Sequence, residues 1–378
     1  MGAFYLGYSQ TSNSIRTGAE QIEKYIPLLK GKSIGLVGNH NSVIKSKNGY
    51  VHLVDSLLNW GISIKKVFGP EHGFRGNTPD GELVEDEKDR KTGIPIVSLY
   101  GKNKKPSPEQ LAGLDLLVFD MQSVGVRFYT YLSTLHLILE ACAEDTIPLL
   151  LLDRPNPNAY YVDGPVLEME HSSFVGKHPI PIVYGLTLGE MAHMIIGEEW
   201  LDIENEVDLT VIPLQNYSRQ KGIELPYAPS PNLPNSQAVA LYPSLCLLEP
   251  TAVSVGRGTN MQFQVYGHPD FKLDFSFTPQ PNLGSKYPKL EGKKCLGVDL
   301  RTASHPHKIR LQYLLKAYVA SPDKEHFFLK TFERIVGNSQ MRTQIESGLN
   351  EDQIRASWEP KLSQFKKLRK KYLRYPNE

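Results

Sequence analysis

The sequence predicts an α/β protein: a Rossmann-like domain with a mostly parallel sheet, followed by a smaller C-terminal α+β domain. Three observations lead to this prediction. Short apolar runs alternate with helical segments in the first half of the chain, which is the pattern of strands joined by crossover helices. Near residue 245 the pattern changes to shorter strands and amphipathic helices. The length of 378 residues and the hydrophobic fraction of 40% suffice for more than one core.

The first domain is predicted to contain five buried strands, each a short run of apolar and β-branched residues. A helix with one apolar face covers about Val51–Asn59, after the first strand, and a longer helix from about Phe128 to Cys142 follows the fourth. Helical crossovers imply a parallel sheet that is covered on both faces. The predicted strands are Ser33–Gly38, Ile62–Phe68, Ile94–Leu99, Leu114–Phe119 and Leu149–Leu152.

The rest of the chain divides near residue 245. The stretch Asp153–Pro243 is rich in proline, asparagine and tyrosine, and it predicts long ordered loops with one helix, Leu188–Trp200. We therefore predict a Rossmann-like domain at 15–244 and an α+β domain at 245–378. Strands and helices predicted in the second domain include Thr251–Val255, Lys272–Phe277, Ile309–Val319 and Lys361–Tyr372.

Composition and motifs exclude several classes of protein. Lys plus Arg number 42 and Asp plus Glu number 41, so the net charge of +1 argues against a nucleic-acid-binding protein. Three cysteines without a C-x-x-C pair argue against a disulfide scaffold and against a cysteine zinc site. No apolar run is long enough for a membrane span. Neither G-x-G-x-x-G nor a P-loop motif indicates a nucleotide, and we expect no cofactor.

The first ten residues leave the location of the protein open. Met1–Gln10 include apolar residues but lack the basic start of a complete secretory signal. They are either a disordered or tag-altered terminus or the remnant of a trimmed signal. The second interpretation predicts a periplasmic or secreted protein. Both a monomer and a homodimer are compatible with the sequence.

Polar residues follow the predicted strands of the first domain. In open α/β sheets the carboxyl ends of the strands meet at one edge, where ligands bind. Carboxylate, imidazole, guanidinium and amide groups should therefore converge in a polar site for a small molecule. The candidate residues are Asn39, His40, Glu71, His72, Arg75, Asp120, Gln122, Arg127, Tyr129, Asp153, Arg154 and Asn156.

Some of these residues have an obvious chemical role and an equally obvious structural one. Glu71 can serve as a general acid, or it can cap a helix or pair with Arg75. Arg75 and Arg127 can each bind a substrate carboxylate through two hydrogen bonds. The alternative for either arginine is a buried ion pair with Asp120 or Asp153.

A metal site is a further possibility at this edge of the sheet. His40, His72, Asp120 and Asp153 could together supply nitrogen and oxygen ligands. No H-E-x-x-H or other metal-binding spacing is present, so we predict that these residues bind substrate and one another instead.

Three later motifs complete the set of candidates. Pro229–Pro234 is a rigid loop that can present Asn232 to a ligand. Gly256–Thr259, which contains Arg257 and ends in Thr259, has glycines that allow the backbone to approach a ligand closely. By contrast, Thr187 and Glu190 have the spacing of a helix capping box, which predicts a structural role for Glu190.

Taken in order, these motifs resemble those of the bacterial exo-β-N-acetylmuramidase family, formerly a domain family of unknown function. The resemblance extends from about Ile15 to Tyr375. Ser123 replaces the usual aspartate of the family, and Asn39–Ser42 reads Asn-His-Asn-Ser in place of Asn-His-Thr-Gly. The motifs that carry the resemblance are Gly69–Gly76, Gln122–Tyr131, Asp153–Pro157, Asp163–Pro165, Ser230–Asn232 and Val255–Thr259.

The resemblance implies a glycosidase with its active site in the cleft between the two domains. It implies release of N-acetylmuramic acid from the non-reducing ends of peptidoglycan fragments during cell-wall turnover and recovery. Glycoside hydrolysis needs one group that protonates the leaving oxygen and a second that stabilises or attacks the anomeric carbon. We assign Glu71 as the acid, oriented by His72. Asp120, Asp153 and the acetamido oxygen of the substrate are the candidates for the second role.

The lactyl carboxylate of N-acetylmuramic acid requires a cation. Arg75, Arg127 and Arg257 are the candidates, and an arginine left unpaired would disfavour N-acetylglucosamine, which lacks the carboxylate.

Two other functions are compatible with the same residues. Ser123 in the altered motif raises the possibility of a muropeptide-binding protein without catalysis. The histidines and aspartates near the strand ends raise the possibility of a metal-dependent hydrolase of cell-wall amides or esters.

Overall fold

The structure is a computed structural model, and it describes residues 14–70, 74–75, 87–101, 103–219 and 222–377. In these ranges the strands, β1 to β12 in chain order, are Ser33–Gly38, Val43–Ser46, Gly49–His52, Ser63–Gly69, Glu87–Lys88, Pro95–Ser98, Leu116–Asp120, Leu149–Leu152, Leu209–Ile212, Val265–His268, Phe275–Phe277 and Cys295–Asp299. The helices, α1 to α10, are Ile22–Leu29, Leu53–Asn59, Pro108–Leu111, Tyr131–Glu144, Leu188–Gly197, Ser236–Leu245, Gln312–Ala320, Phe332–Val336, Gln340–Glu346 and Glu351–Arg369. Short 3-10 helices cover Gly18–Glu20, Met169–His171, Cys246–Leu248 and Lys370–Tyr372.

The described strands of the first half form a seven-stranded sheet in the order β5-β6-β4-β1-β7-β8-β9. All neighbouring pairs are parallel except β5 and β6, so six strands are parallel and β5 is an antiparallel edge. Strands β7 and β8 are buried along their whole length, which explains their uninterrupted apolar sequences. The predicted α/β fold and all five predicted strands are confirmed: β1 and β8 have the predicted bounds, and the ends of β4, β6 and β7 are shifted by one or two residues.

The strand order reverses between β1 and β7. From β1 the chain adds β4 and β6 on one side, and it then returns to add β7, β8 and β9 on the other. Such a reversal leaves a crevice between the carboxyl ends of the two central strands. Asn39 follows β1 and Gln122 follows β7, so the crevice lies where the sequence predicts the polar site.

The middle of the chain contains more regular structure than the sequence predicts. Strand β9 and helix α6 both lie in the stretch predicted to consist mainly of loops. Strand β9 has only four residues, and α6 contains Pro243, so neither has a strong periodic pattern. The β2–β3 hairpin is also absent from the prediction, because its largely exposed residues lack an apolar run.

The C-terminal part contains a three-stranded antiparallel sheet in the order β10-β12-β11, together with helices α7 to α10. The predicted strand at Thr251–Val255 is wrong: this segment makes two isolated bridges, from Thr251 to Phe328 and from Ser254 to Gly267. The predicted helices at the C-terminal end are confirmed as α7 and α10. Within the described residues, no helix is both long and apolar enough to cross a membrane.

One hydrophobic core joins the two parts of the chain. It contains Phe119 of β7 and Leu135 of α4, together with Phe332 and Trp358 from the C-terminal helices. Helix α6 is buried within this core and spans residues 244 and 245, where the sequence predicts the domain boundary. That boundary stays a prediction.

Candidate active site

Loops at the carboxyl ends of the central strands are tied to one another by side-chain hydrogen bonds. Asn39 Nδ2 donates to Tyr131 Oη at 2.8 Å, which connects the end of β1 to the start of α4. The ring nitrogen Nε2 of His40 lies 2.9 Å from the carbonyl oxygen of Ala228, and burial lowers the pKa of His40. Tyr129 Oη donates to the carbonyl oxygen of Pro229 at 2.7 Å. The 228–232 segment is therefore fixed against the edge of the sheet.

A cavity of about 200 Å³ opens beside these loops, between the first half of the chain and the C-terminal part. Its walls are aromatic on several sides: the rings of Phe128 and Phe263 each pack edge-to-face on Tyr242. Polar groups are contributed by residues from both parts of the chain, including Asn232, Glu249 and Arg257. An apolar cavity with a few convergent polar groups is the usual form of a small-molecule site.

Arg257 and Glu249 form the charged side of this cavity. Arg257 Nε donates to Glu249 Oε2 at 2.7 Å, and both side chains remain one quarter exposed. The guanidinium carbon of Arg257 lies 5.1 Å from the centre of the Phe263 ring, a cation–π contact that fixes the plane of the group. An anionic ligand in this cavity would therefore meet an oriented arginine.

Of the three arginines predicted to bind a carboxylate, Arg257 is the one that lines this cavity. Arg75 is held by two carboxylates instead: Nε and Nη2 donate to Asp89 at 2.7 Å, and Nη2 also donates to Asp55 at 3.0 Å. The hydrogen bonds that Arg75 donates to Asp89 lower the pKa of the Asp89 carboxyl to about 2. Arg75 therefore forms ion pairs with Asp55 and Asp89, whereas the sequence suggested Asp120 or Asp153, and its contact with substrate stays a prediction.

Arg127 is likewise committed to the fold. Its side chain is only 1% exposed, and its two terminal nitrogens donate to four backbone carbonyl oxygens at 2.6–3.0 Å. Two of these carbonyls belong to Ile335 and Val336 at the end of α8, so Arg127 links the first half of the chain to the C-terminal part. This geometry differs from both sequence interpretations, which were a substrate clamp and an ion pair.

The two predicted aspartates lie in the interior. Asp120 has no exposed surface, and its carboxylate accepts from Arg154 Nε at 2.5 Å and from Arg154 Nη2 at 2.9 Å. Asp153 accepts from the hydroxyls of Thr187 and Tyr375 and from the backbone of Gly189, and burial raises its pKa to about 6. Neither carboxylate lines this cavity, and a catalytic role for either stays a prediction.

The remaining predicted residues also have partners within the protein. Gln122 Nε2 donates to the carbonyl oxygens of Ser123 and Pro155, and Asn156 Nδ2 donates to that of Leu186. Thr259 Oγ1 donates to the carbonyl oxygen of Gly256, which closes the turn after Arg257. Glu190 forms the predicted capping box with Thr187, which confirms its structural role. Glu71 and His72 lie outside the described residues.

A larger cavity of about 560 Å³ is lined by Gln122, Arg154 and residues of the β2–β3 hairpin. Its described lining is confined to residues before 227, so it is not shared with the C-terminal part. It contains two predicted site residues, whereas the smaller cavity contains Tyr129, Asn232 and Arg257. We therefore take the smaller cavity as the candidate active site.

His40, His72, Asp120 and Asp153 are the residues that the sequence offers as metal ligands. Among the described residues, the group with metal-binding spacing is a different one, Glu168, Glu170 and His171. Glu168 in that group already pairs with Lys361 at 2.6 Å. Asp120 and Asp153 are satisfied by the protein donors described above, so these carboxylates do not offer a prepared metal site.

Two charged residues that support Arg257, Glu249 in the cavity wall and Lys289 behind it, are absent from the sequence-based prediction. Glu249 orients Arg257, and its position eight residues earlier in the chain gives only a weak sequence signal. Lys289 is half-buried, and its ammonium donates to the carbonyl oxygens of Glu249, Thr251 and Val253 at 2.5–3.1 Å. Lys289 thus fixes the segment that leads to Arg257, at a sequence distance that no local pattern reveals.

The Arg75 cluster predicts a specific dependence of stability on pH. The pKa of Asp89 is lower in the folded protein than its unfolded value near 4, so its contribution is present above about pH 4 and is lost as the pH falls towards 2. We expect Asp89→Asn to remove about 2 kcal/mol from the free energy of unfolding at pH 7. Denaturant titrations from pH 7 to pH 3 should show a smaller acid-dependent loss in this variant. If the free energy of unfolding falls equally with pH in both proteins, the low pKa of Asp89 is not what makes the stability depend on pH.

Two protein-family models match the chain in succession. The model described as Exo-beta-N-acetylmuramidase NamZ, N-terminal, covers residues 34–237, and the corresponding C-terminal model covers residues 240–375. Together they account for both sides of the cavity. The chain belongs to the exo-β-N-acetylmuramidase family.

Individual relatives agree with the family models over nearly the full chain. The chain is 38% identical over 390 aligned positions to the peptidoglycan beta-N-acetylmuramidase NamZ of Bacillus subtilis (strain 168), and the match covers 96% of this chain and 91% of that protein. A crystal structure of a DUF1343 family protein from Bacteroides fragilis superimposes with a TM-score of 0.88 at 45% identity, covering 97% of this chain and all of that chain. A second B. fragilis member has a TM-score of 0.79 at 29% identity, covering 96% and 99% of the two chains.

Proposed function

We propose that this family member is an exo-acting glycosidase that releases N-acetylmuramic acid from the non-reducing ends of peptidoglycan fragments. The observation that carries this proposal is the match to both family models on either side of one cavity. A cavity of about 200 Å³ has room for roughly one sugar residue, which suits an enzyme that removes terminal sugars singly.

Arg257 binds the lactyl carboxylate in this proposal. It is the candidate arginine at the cavity, and Glu249 and Phe263 orient its guanidinium. A guanidinium can form two parallel hydrogen bonds with a carboxylate, which supplies both affinity and orientation. N-Acetylglucosamine lacks the lactyl group and would leave this interaction unmade.

Glu71 protonates the leaving oxygen in the proposed reaction, and His72 orients it. For the second role we favour the acetamido oxygen of the substrate, which attacks the anomeric carbon as the glycosidic bond breaks. The burial of Asp120 and Asp153 supports this choice, because both carboxylates already accept several hydrogen bonds within the protein. The proton from Glu71 stays on the glycosidic oxygen of the departing sugar. A water molecule, whose proton returns to the Glu71 carboxylate, then opens the cyclic intermediate at the anomeric carbon and releases N-acetylmuramic acid.

The decisive experiment compares two chromogenic substrates, a β-N-acetylmuramide and the matching β-N-acetylglucosaminide, with a chelator present. We expect release from the muramide with a preference of about a hundredfold or more in kcat/KM. Equal hydrolysis of both substrates would contradict the role of the lactyl group. Loss of activity with chelator and recovery with added metal would instead support the metal-dependent hydrolase.

We further propose that the protein acts in the periplasm or outside the cell, where peptidoglycan lies. Fractionation of the source bacterium, followed by immunodetection beside a cytoplasmic marker, tests this location. Recovery with the cytoplasmic marker would contradict it.

A further inference from the structure

A loop of the C-terminal part, residues 280–291, is held against the segments that form the candidate site. The backbone N–H of Gln280 donates to the carbonyl oxygen of Gly258 at 2.8 Å. Asn282 Nδ2 donates to the carbonyl oxygen of Thr259 at 3.0 Å. Asn232, which lines the cavity, donates through Nδ2 to the carbonyl oxygen of Gly284 at 2.5 Å. The loop is therefore hydrogen-bonded to both segments that supply Asn232 and Arg257 to the cavity, residues 229–234 and 256–259.

Two packing features hold the same loop in place. Gly258 has a φ of +77°, and a Cβ at this position would lie 2.6 Å from both the carbonyl oxygen of Gln280 and the Cβ of Pro288. The ammonium of Lys289 occupies a cage of three carbonyl oxygens from residues 249, 251 and 253. Because its backbone is fixed at several points, the loop presents its outward side chains in a defined geometry.

Two large apolar side chains of this loop face the solvent. Leu283 is 60% exposed and Tyr287 is 81% exposed. Leu283 immediately precedes the residue bound by Asn232, and Tyr287 immediately precedes the proline that packs on Gly258. Tyrosine on a firmly held loop is characteristic of a binding surface, because a rigid amphipathic ring contacts a partner at low entropic cost.

We propose that Tyr287 and Leu283 bind the sugar on the leaving side of the scissile bond, an N-acetylhexosamine of the glycan chain. This proposal rests on the exo-acting function given above. Since the cavity has room for roughly one sugar, the rest of the glycan must lie outside it, and the 280–291 loop is hydrogen-bonded through Gly284 to Asn232 of the cavity wall. A pyranose ring has an apolar C–H face that packs on an aromatic ring, while its hydroxyls stay in water.

The test compares a leaving sugar with a leaving group too small to reach the loop. The two substrates are the disaccharide N-acetylmuramyl-β-1,4-N-acetylglucosamine and methyl β-N-acetylmuramide. For Tyr287→Ala we expect kcat/KM to fall roughly tenfold on the disaccharide and to change less than about twofold on the methyl glycoside. Tyr287→Phe keeps the ring and should retain the activity of the unmodified protein on both. Val319→Ala, which alters a residue that is 77% exposed on α7, is the matched control.

Each other outcome overturns the proposal. An equal loss on both substrates, or no loss on either, would show that Tyr287 does not contact the leaving sugar. Unchanged kinetics together with altered sedimentation would assign the apolar loop to self-association. If the unmodified protein hydrolyses neither substrate, the exo-muramidase function itself fails, and the leaving-sugar proposal fails with it.

Discussion

Replacing Glu71 by Gln is expected to lower kcat on the natural disaccharide by about three orders of magnitude, because the amide cannot donate the proton that the leaving oxygen needs. The loss should depend on the leaving group. 4-Nitrophenol leaves readily without a proton, so the 4-nitrophenyl muramide should lose much less activity than the disaccharide. Steady-state kinetics on the two substrates measure the difference directly.

The folding of this variant is checked by thermal unfolding, and Glu109→Gln serves as the matched control. Glu109 is an exposed carboxylate in the first turn of α3 and should be replaceable without effect. Full activity of Glu71→Gln would remove Glu71 from the reaction. An equal loss on both leaving groups would indicate that Glu71 acts on something other than the leaving oxygen.

The second large effect separates two arginines that the sequence alone treats as equivalent. We expect Arg257→Met to fold normally and to lose about a hundredfold in kcat/KM on the muramide, with little change on the glucosaminide. We expect Arg127→Met to lower the free energy of unfolding by about 4 kcal/mol, because four buried carbonyl oxygens lose their charged donor. Paired kinetics and denaturant unfolding of both variants make the comparison.

Two further variants isolate the role of Arg257. Arg257→Lys should recover only part of the discrimination, since an ammonium cannot form the paired hydrogen bonds of a guanidinium. Arg257→Met also leaves Glu249 without its ion-pair partner, and Glu249→Gln combined with Arg257→Met removes that charge. If the preference for the muramide over the glucosaminide survives in Arg257→Met and disappears in Arg127→Met, then Arg127 and not Arg257 binds the lactyl carboxylate.

The sequence predicted the first domain well where local pattern determines structure. Leu149–Leu152 is an apolar run that forms a strand with the predicted bounds, and Thr187 with Glu190 forms the predicted cap. The meeting of the carboxyl ends of β1, β7 and β8 also follows from pattern, because parallel topology brings those ends together. That the active site lies beside them stays a prediction. Strand β9 was missed because four residues within a proline-rich stretch carry little periodicity.

The roles of the individual polar residues could not be predicted in the same way. Arg127 binds carbonyl groups that lie between 38 and 209 residues away in sequence, and nothing local to Arg127 indicates them. The partners of Arg75, at Asp55 and Asp89, follow from the folded path of the chain. An arginine whose N–H groups all bind carbonyl oxygens of the protein and an arginine that faces a ligand can have the same neighbours in sequence. Only the tertiary contacts distinguish the two.

The hydrophobic core that passes through α6 has a consequence for how this family can change. Each of the two matched segments contributes side chains to one shared interior, so neither retains its own packing when the other is exchanged. Recombination at the junction between them would join surfaces that were not selected together, and the interior would have to be repacked at once. Sequence variation is therefore easier to acquire in surface loops than by exchange of whole halves.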